Sequence, residues 1–237
     1  MPPPLNPLAA TPAAVWRRIT QQQVTDRSLT VLTLLLLAEI VLMPPLVEIG
    51  WVGRHVADIV FVAGLSVGVW ILADETLPGR LFIGTAAVTA GLRLANVWLP
   101  DADVRQADAS FAAINLGVLG WLTLAYTLAP GRINVHRVLG AVAAFLLIGL
   151  MFAQLHRLVA MNTEHAYLLL GQPADYSTIV TKLGYYSFVT LTSLGYGDIT
   201  PLHPVARALA MLEALIGVLY PVALLGWLVS VMTLQKK

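Results

Sequence analysis

Thr190-Leu191-Thr192-Ser193-Leu194-Gly195-Tyr196-Gly197-Asp198 lies between two long apolar segments near the C-terminal end of the chain. Two glycines separated by a single residue allow the backbone to alternate between conformations that residues with a Cβ adopt only at a cost. Such alternation aims successive carbonyls the same way. If several chains bring this segment to a common axis, the carbonyls of Ser193, Leu194, Gly195 and Tyr196 form stacked oxygen rings, and the Ser193 hydroxyl adds another. Stacked oxygen rings can replace the hydration shell of a cation.

At these residues the sequence resembles the pore of the potassium channel family, whose corresponding motif reads Thr-Val-Gly-Tyr-Gly. The resemblance runs from about His136 to the end of the chain. Tyr185 and Tyr186 stand where the family usually has an aromatic pair on the pore helix, Asp198 follows the motif, and Gly217 falls where the inner helix often carries a hinge glycine. The resemblance implies a selectivity filter of Ser193, Leu194, Gly195, Tyr196 and Gly197. Potassium ions would sit at Ser193, Leu194, Gly195 and Tyr196, supported from behind by Tyr185, Tyr186, Thr190, Thr192 and Asp198, with no organic cofactor. Two departures stand out. Ser193 replaces the usual Thr and keeps the hydroxyl; Leu194 replaces the usual Val and is bulkier. Neither changes the number of carbonyls, so both bear on fine selectivity rather than on conduction. A bare Gly-Tyr-Gly would equally fit an ordinary glycine turn; the nine-residue context between two apolar segments makes the motif specific.

Composition points the same way. Of 237 residues, 58% are hydrophobic and only 11% charged, with a mean hydropathy of +0.78. Soluble domains carry about 25% charged residues, so this chain reads as a membrane protein. A net charge of +1 offers no basis for a nucleic-acid partner, and the absence of cysteine excludes disulfides and thiol chemistry. No zinc-type histidine spacing, Gly-x-Ser-x-Gly elbow or phosphate-cradling Gly-Lys motif is present, so nothing points to an enzyme. The five histidines, His55, His136, His156, His165 and His203, are scattered and read as loop or helix-end residues.

Spanning a hydrocarbon core of about 30 Å takes roughly 20 apolar helical residues. Six segments qualify: 29–49, 52–73, 81–99, 109–129, 135–157 and 204–234. The expected architecture is an all-α membrane protein of six transmembrane helices. Residues 1–28 form a proline-rich tail and a helix starting at Thr11-Pro12, which lies on the membrane surface or is an unordered linker. Residues 29–130 form a four-helix peripheral domain, and residues 131–237 form the pore domain. Between the fifth and sixth segments there is room for an outer loop, a half-length pore helix over about 176–192, and the filter. Irregular backbone at this depth is tolerated only when buried in protein or lining water, which a filter satisfies.

Basic residues set the orientation. With the N-terminus in the cytoplasm, Arg17, Arg18, Arg27, Arg80, Arg132, Arg137, Lys236 and Lys237 lie inside, eight of the fourteen, while Asp101, Asp103, Asp108, Glu164 and Asp175 lie in outer loops. Both termini are then cytoplasmic in a multi-pass protein of the plasma membrane, of prokaryotic inner-membrane type. One filter motif per chain requires four subunits to close the rings, hence a cyclic homotetramer in the lipid bilayer.

Charged groups within spans default to functional candidates. Arg93 is expected to pair with Asp58, with Glu39 close by and Asn96 and Asn115 completing a polar cluster. This cluster reads as a structural salt bridge or as a proton- or ligand-sensing site. Counted from Leu202, Glu213 lies about 16 Å below the outer end of the last apolar segment. It is expected to accept hydrogen bonds from hydroxyls such as Thr190 or Thr192, or to border an aqueous cavity. Pro44-Pro45 should kink the first helix. Pro221 deletes the hydrogen bond to the carbonyl of Gly217, so residues 217–221 read as a gating hinge or a fixed kink. The chain therefore reads as a passive potassium channel subunit; the alternatives are a non-selective monovalent cation channel and a non-conducting assembly or signalling module.

Six helices with the pore near the end are also the plan of voltage-gated channels, but residues 109–129 contain no Lys or Arg. Each elementary charge moved across the membrane contributes about 2.3 kcal/mol per 100 mV. Open probability is therefore expected to be nearly independent of voltage. Currents from purified protein stepped between about −100 and +100 mV test this, and sigmoidal activation worth three or more charges per subunit contradicts it.

Overall fold

A computed structural model describes residues 12–51, 77–98, 104–129 and 134–234. Long apolar runs without internal breakers become helices: α1 (Pro12–Glu48), α2 (Leu77–Trp98), α3 (Arg105–Leu128), α4 (Val135–Asn162) and α7 (Pro204–Leu234). Between α4 and α7 lie β1 (Tyr167–Leu169), β2 (Gln172–Ala174), the single turn α5 (Tyr176–Ile179), a 3-10 turn (Val180–Lys182), the short helix α6 (Leu183–Leu191) and β3 (Ile199–Pro201). Helix ends follow local chemistry. Gly50, at φ 81°, closes α1: its N–H and that of Trp51 reach back to the carbonyls of Val47 (3.2 Å) and Leu46 (3.0 Å), a Schellman stop. Ala129, which precedes a proline, takes the extended ψ of 147° and ends α3. The Asn134 side chain accepts from the Arg137 N–H and starts α4.

Two cores result. Leu32 and Leu36 of α1, Leu116 and Leu119 of α3, and Ala143, Leu146 and Leu147 of α4 form the first, with Phe188 of α6 packed against it. Small residues let these helices close up: a Cβ on Gly149 would lie 2.6 Å from the Phe188 ring, and one on Gly140 2.6 Å from the Thr127 hydroxyl. The second core is built from Ala160, Ala166, Tyr167, Ala174, Ile179, Leu183, Tyr186, Ile199 and Ala206. It lies under a small antiparallel sheet of order β2-β1-β3. Tyr167 pairs with Ala174 and Pro201, and Leu169 pairs with Gln172 and Ile199. Leu170 and Gly171, at φ 50° and 78°, make the two-residue turn between β1 and β2.

The structure corrects several expectations. The protein is not purely helical, because the loop between α4 and α7 carries the sheet; strands of three residues interrupted by Pro173 and Pro201 show no alternating pattern to read. The surface helix and first span are one helix, Pro12–Glu48, with no break at residue 28, since residues 13–43 contain neither glycine nor proline. Helical structure continues through Pro44 and Pro45. The expected helix over 176–192 is split by the 3-10 turn and stops at Leu191. Among the described residues, four helical stretches are long and apolar enough to cross a membrane: Ser28–Val47, Arg105–Leu128, Val135–Asn162 and Pro204–Ser230. The third expected span is helical, but its apolar part, Ile83–Ala95, is shorter. The second expected span, with Asp58, lies outside the described residues.

Helix α7 runs unbroken through Gly217 and Pro221. A Cβ at Gly217 would fall 1.7 Å from the carbonyl oxygen of Leu191, so only glycine lets α7 approach the end of α6. Gly217→Ala should therefore destabilise the purified protein by about 3 kcal/mol in denaturant unfolding. Gly226→Ala, with nothing within 4 Å, should be neutral or gain up to about 1 kcal/mol. Equal effects at the two positions would refute the packing role of Gly217.

Candidate functional site

Helix α6 ends at Leu191, and the next residues are fastened to it through their N–H groups. Thr192 N–H donates to Phe188 O (3.0 Å), Ser193 N–H to Thr190 O (2.9 Å), and both Leu194 and Gly195 N–H to Val189 O (2.9 and 3.3 Å). The Thr192 hydroxyl also bonds Phe188 O, at 2.7 Å. φ is positive at Ser193 (57°), Gly195 (55°) and Gly197 (79°). Leu194 and Tyr196 stay on the ordinary side, so the backbone alternates residue by residue. The alternation reaches one step beyond the glycines, to Ser193, which holds the left-handed conformation at a cost of about 1–2 kcal/mol. Among the described residues, no backbone N–H donates to the carbonyls of residues 193–197. The segment is exposed along its length, with Leu194 and Tyr196 more than half exposed.

The far end is tied to the sheet. Leu170 N–H donates to Asp198 O at 2.7 Å, and β3 begins at the next residue. The Asp198 carboxylate lies against the Tyr185 phenol, and Thr190 lies beside Tyr186.

Behind α6 is a fully buried polar cluster. Glu213 of α7 pairs with His156 of α4 through Oε2 and Nε2, at 2.8 Å, and its Oε1 contacts the Ser187 hydroxyl of α6. Ser187 Oγ also lies 2.7 Å from Gly149 O, and His156 Nδ1 lies 2.7 Å from the Tyr167 hydroxyl. The His156, Tyr167 and Tyr186 rings meet edge to face, at centroid distances of 4.9–5.8 Å. Burial, reinforced by Tyr186 and Glu213, holds the Tyr167 phenol well above its ordinary pKa, so it remains a neutral hydroxyl. The partners of Glu213 are therefore Ser187 and His156, not Thr190 or Thr192, because the side of α7 carrying Glu213 meets α6 one turn before its end. His156 is not a helix-end residue but a buried one. It lay within reading distance: His156 and Glu213 each sit within about ten residues of the sheet-side ends of neighbouring apolar helices, so depth counting pairs them.

A second cluster joins α2, α3 and α4. Arg93 Nε lies 3.3 Å from Asp108 Oδ1, and Arg157 Nη1 lies 3.4 Å from Asp108 Oδ2. Arg157 Nε donates to the Tyr176 hydroxyl at 3.2 Å, and Glu39 lies within electrostatic reach of Arg93. Asp108, expected in an outer loop, is only 3% exposed: helix α3 begins four residues before the predicted span and carries it inward. Asn115 does not join these charges; its amide binds the hydroxyls of Thr85 (2.7 Å) and Thr89 (2.9 Å). The Asn96 side chain lies outside the described residues. Among the described residues, no group of three or more His, Asp or Glu could hold a metal ion.

A short helix and a backbone segment with unpaired carbonyls, set between two long apolar helices, are the parts of a pore-loop cation channel. Residues 166–234 match the model of the ion channel family, and the chain belongs to it as a multi-pass membrane protein. Protein LctB of Bacillus caldotenax is similar: it is 30% identical over 112 residues, which cover 46% of this chain and 83% of that protein. No solved structure matches.

Asp108 is the shared anion of two arginines. Asp108→Asn takes the shared carboxylate from both guanidiniums at a site only 3% exposed, so it should lower stability by about 3 kcal/mol. Asp175→Asn, at an exposed pair with His165, should change it by less than about 1 kcal/mol. Denaturant unfolding of the purified variants checks both, and a neutral Asp108→Asn would remove its anchoring role.

Proposed function

We propose that this protein is a potassium channel subunit that conducts passively through a homotetrameric pore. The observation that carries the reading is the segment 193–197, with its N–H side fastened to Val189 O, φ alternating in sign and its carbonyls free of backbone partners. Four such segments around one axis make oxygen rings from Ser193, Leu194, Gly195 and Tyr196, with the Ser193 hydroxyls as the innermost ring. Gly197 closes the outer end, helix α6 serves as pore helix, and Tyr185, Tyr186, Thr190, Thr192 and Asp198 support the filter. The C-terminal end of α6 directs its negative dipole toward the axis and stabilises a waiting cation.

The remaining assignments follow from the same plan. The sheet faces outward, both termini are cytoplasmic, the membrane is the plasma membrane, and the six spans of the plan are the four long apolar stretches, α2, and residues 52–73, which lie outside the described residues. Residues 29–130 form the peripheral domain and 131–237 the pore domain. Above Gly217, helix α7 is held by Glu213 and by the contact with Leu191. At Tyr220 the hydroxyl still bonds Ala141 O at 2.7 Å. Beyond Pro221, Val222, Leu225 and Val229 are all more than half exposed. Exposure is similar above it, at Met211, Leu215 and Leu219, so the assignment of Gly217 and Pro221 as the gating hinge rests on the hydrogen bond that Pro221 removes from the Gly217 carbonyl.

The test is ion flux through purified protein in liposomes, with reversal potential measured under opposed potassium and sodium gradients. The potential should follow potassium. Equal weighting of the two ions would instead make the channel non-selective, and absent flux would make it an assembly or signalling module. Gly195→Ala should abolish flux while tetramers persist, because four copies each carry a strained Cβ worth about 1–2 kcal/mol. Ser193→Ala should weaken only the innermost site. A tetrameric Gly195→Ala protein that conducts normally would show that the filter lies elsewhere.

A further inference from the structure

The Ser187 hydroxyl stands between two acceptors and has one hydrogen to give. Its Oγ is 2.7 Å from Gly149 O and in hydrogen-bond contact with Glu213 Oε1. A serine hydroxyl carries one donor and two lone pairs. If the hydrogen points to Gly149, the contact with Glu213 is held only if the carboxyl itself carries a proton and donates to Ser187 Oγ. If Glu213 is ionised, the Ser187 hydrogen turns to Oε1, and the Gly149 carbonyl loses its side-chain partner.

The opposite end of the cluster places the proton. His156 Nε2 lies 2.8 Å from Glu213 Oε2 and Nδ1 lies 2.7 Å from the Tyr167 hydroxyl; with the phenol donating to Nδ1, a neutral imidazole carries its hydrogen on Nε2 and gives it to Oε2. Charging the imidazole instead would make Nδ1–H the donor to Tyr167. The phenol hydrogen would then have only the His156 carbonyl, at 3.4 Å, beyond good hydrogen-bond length. An added proton is therefore housed better between Glu213 and Ser187 than on His156. A neutral acid also avoids an ion pair in a fully buried site, where desolvation opposes charge. The groups facing Glu213 are His156 from α4, Tyr186 and Ser187 from α6, and Tyr167 from β1. Arg157, next to His156 in the chain, turns away to Asp108 and Tyr176.

We propose that Glu213 is a proton-binding site behind the pore. Protonated, it is a neutral acid that donates to Ser187, while Ser187 donates to Gly149. On releasing its proton it becomes a carboxylate, and Ser187 reverses its hydrogen toward it. The contact between α6 and α7 thereby changes from neutral to charge-assisted, which is about twice as strong. Ser187 is one turn from the end of α6, and Gly217, one turn from Glu213, touches Leu191 O. The change in grip is therefore delivered where residues 192–197 begin. Its bearing on conduction rests on the channel reading, whereas the proton site itself does not.

Infrared spectra of the full-length protein in liposomes, titrated from about pH 4 to about pH 9 to span ordinary carboxyl and imidazole titration, report the site directly. The expected result is a protonated-carboxyl band that disappears as pH rises and is missing in Glu213→Gln. In Ser187→Ala its midpoint should be displaced by about tenfold in proton concentration, which assigns the band even if the Glu213 variant does not fold. Potassium flux in the same liposomes should change across the wild-type midpoint. A Glu213 that keeps one protonation state throughout overturns the proposal, and a titrating site with pH-invariant flux overturns its regulatory half. Titration without flux under any condition supports the proton site and sinks the channel reading instead.

Discussion

The carbonyl oxygen of Leu191 occupies the space that a methyl group on residue 217 would need. From this one close approach the depth of α6 against α7 follows, and with it the level at which residues 192–197 leave the helix. One turn further along α7 the same approach brings Glu213 to Ser187 and His156. Moving α7 away by the width of one carbon atom would separate that carboxylate from both partners. Backbone packing and the buried polar cluster are thus a single constraint, and neither is satisfied without the other.

Buried polarity is concentrated where elements must be held in register. Glu213 connects α7 to α4 and α6, and Asp108 connects α3 to α2 and α4. Arg157 then continues the second chain to Tyr176, at the start of α5. In an apolar surrounding such groups have few alternative partners. Each cluster therefore selects one arrangement of its helices, a task that interchangeable Leu and Ala contacts perform poorly.

The legible part of the sequence was the part written in periodicity and breakers. Long apolar runs foretold α1, α3, α4 and α7, and the spacing of Gly195 and Gly197 foretold an alternating backbone. The sheet was not legible, because three-residue strands such as Tyr167-Leu168-Leu169, and two more that carry prolines, show no period of two. Partner choice was legible in kind and not in identity: Glu213 needed a hydroxyl, but Ser187 and Thr190 differ by less than one helical turn, and only packing decides between them. Asp108 was misplaced because its side chain follows the rotation of α3 into the bundle, which charge counting along the chain does not register.

His165, Leu170 and Ser193 are the described residues other than glycine with positive φ, and all three fall between α4 and α7. None would choose that conformation in a free chain, so each is imposed by its neighbours: the sheet on one side and α6 on the other. Such strain can be held only after the surrounding helices are in place. Each of the three positions would accept glycine at a lower conformational cost than the residue it carries.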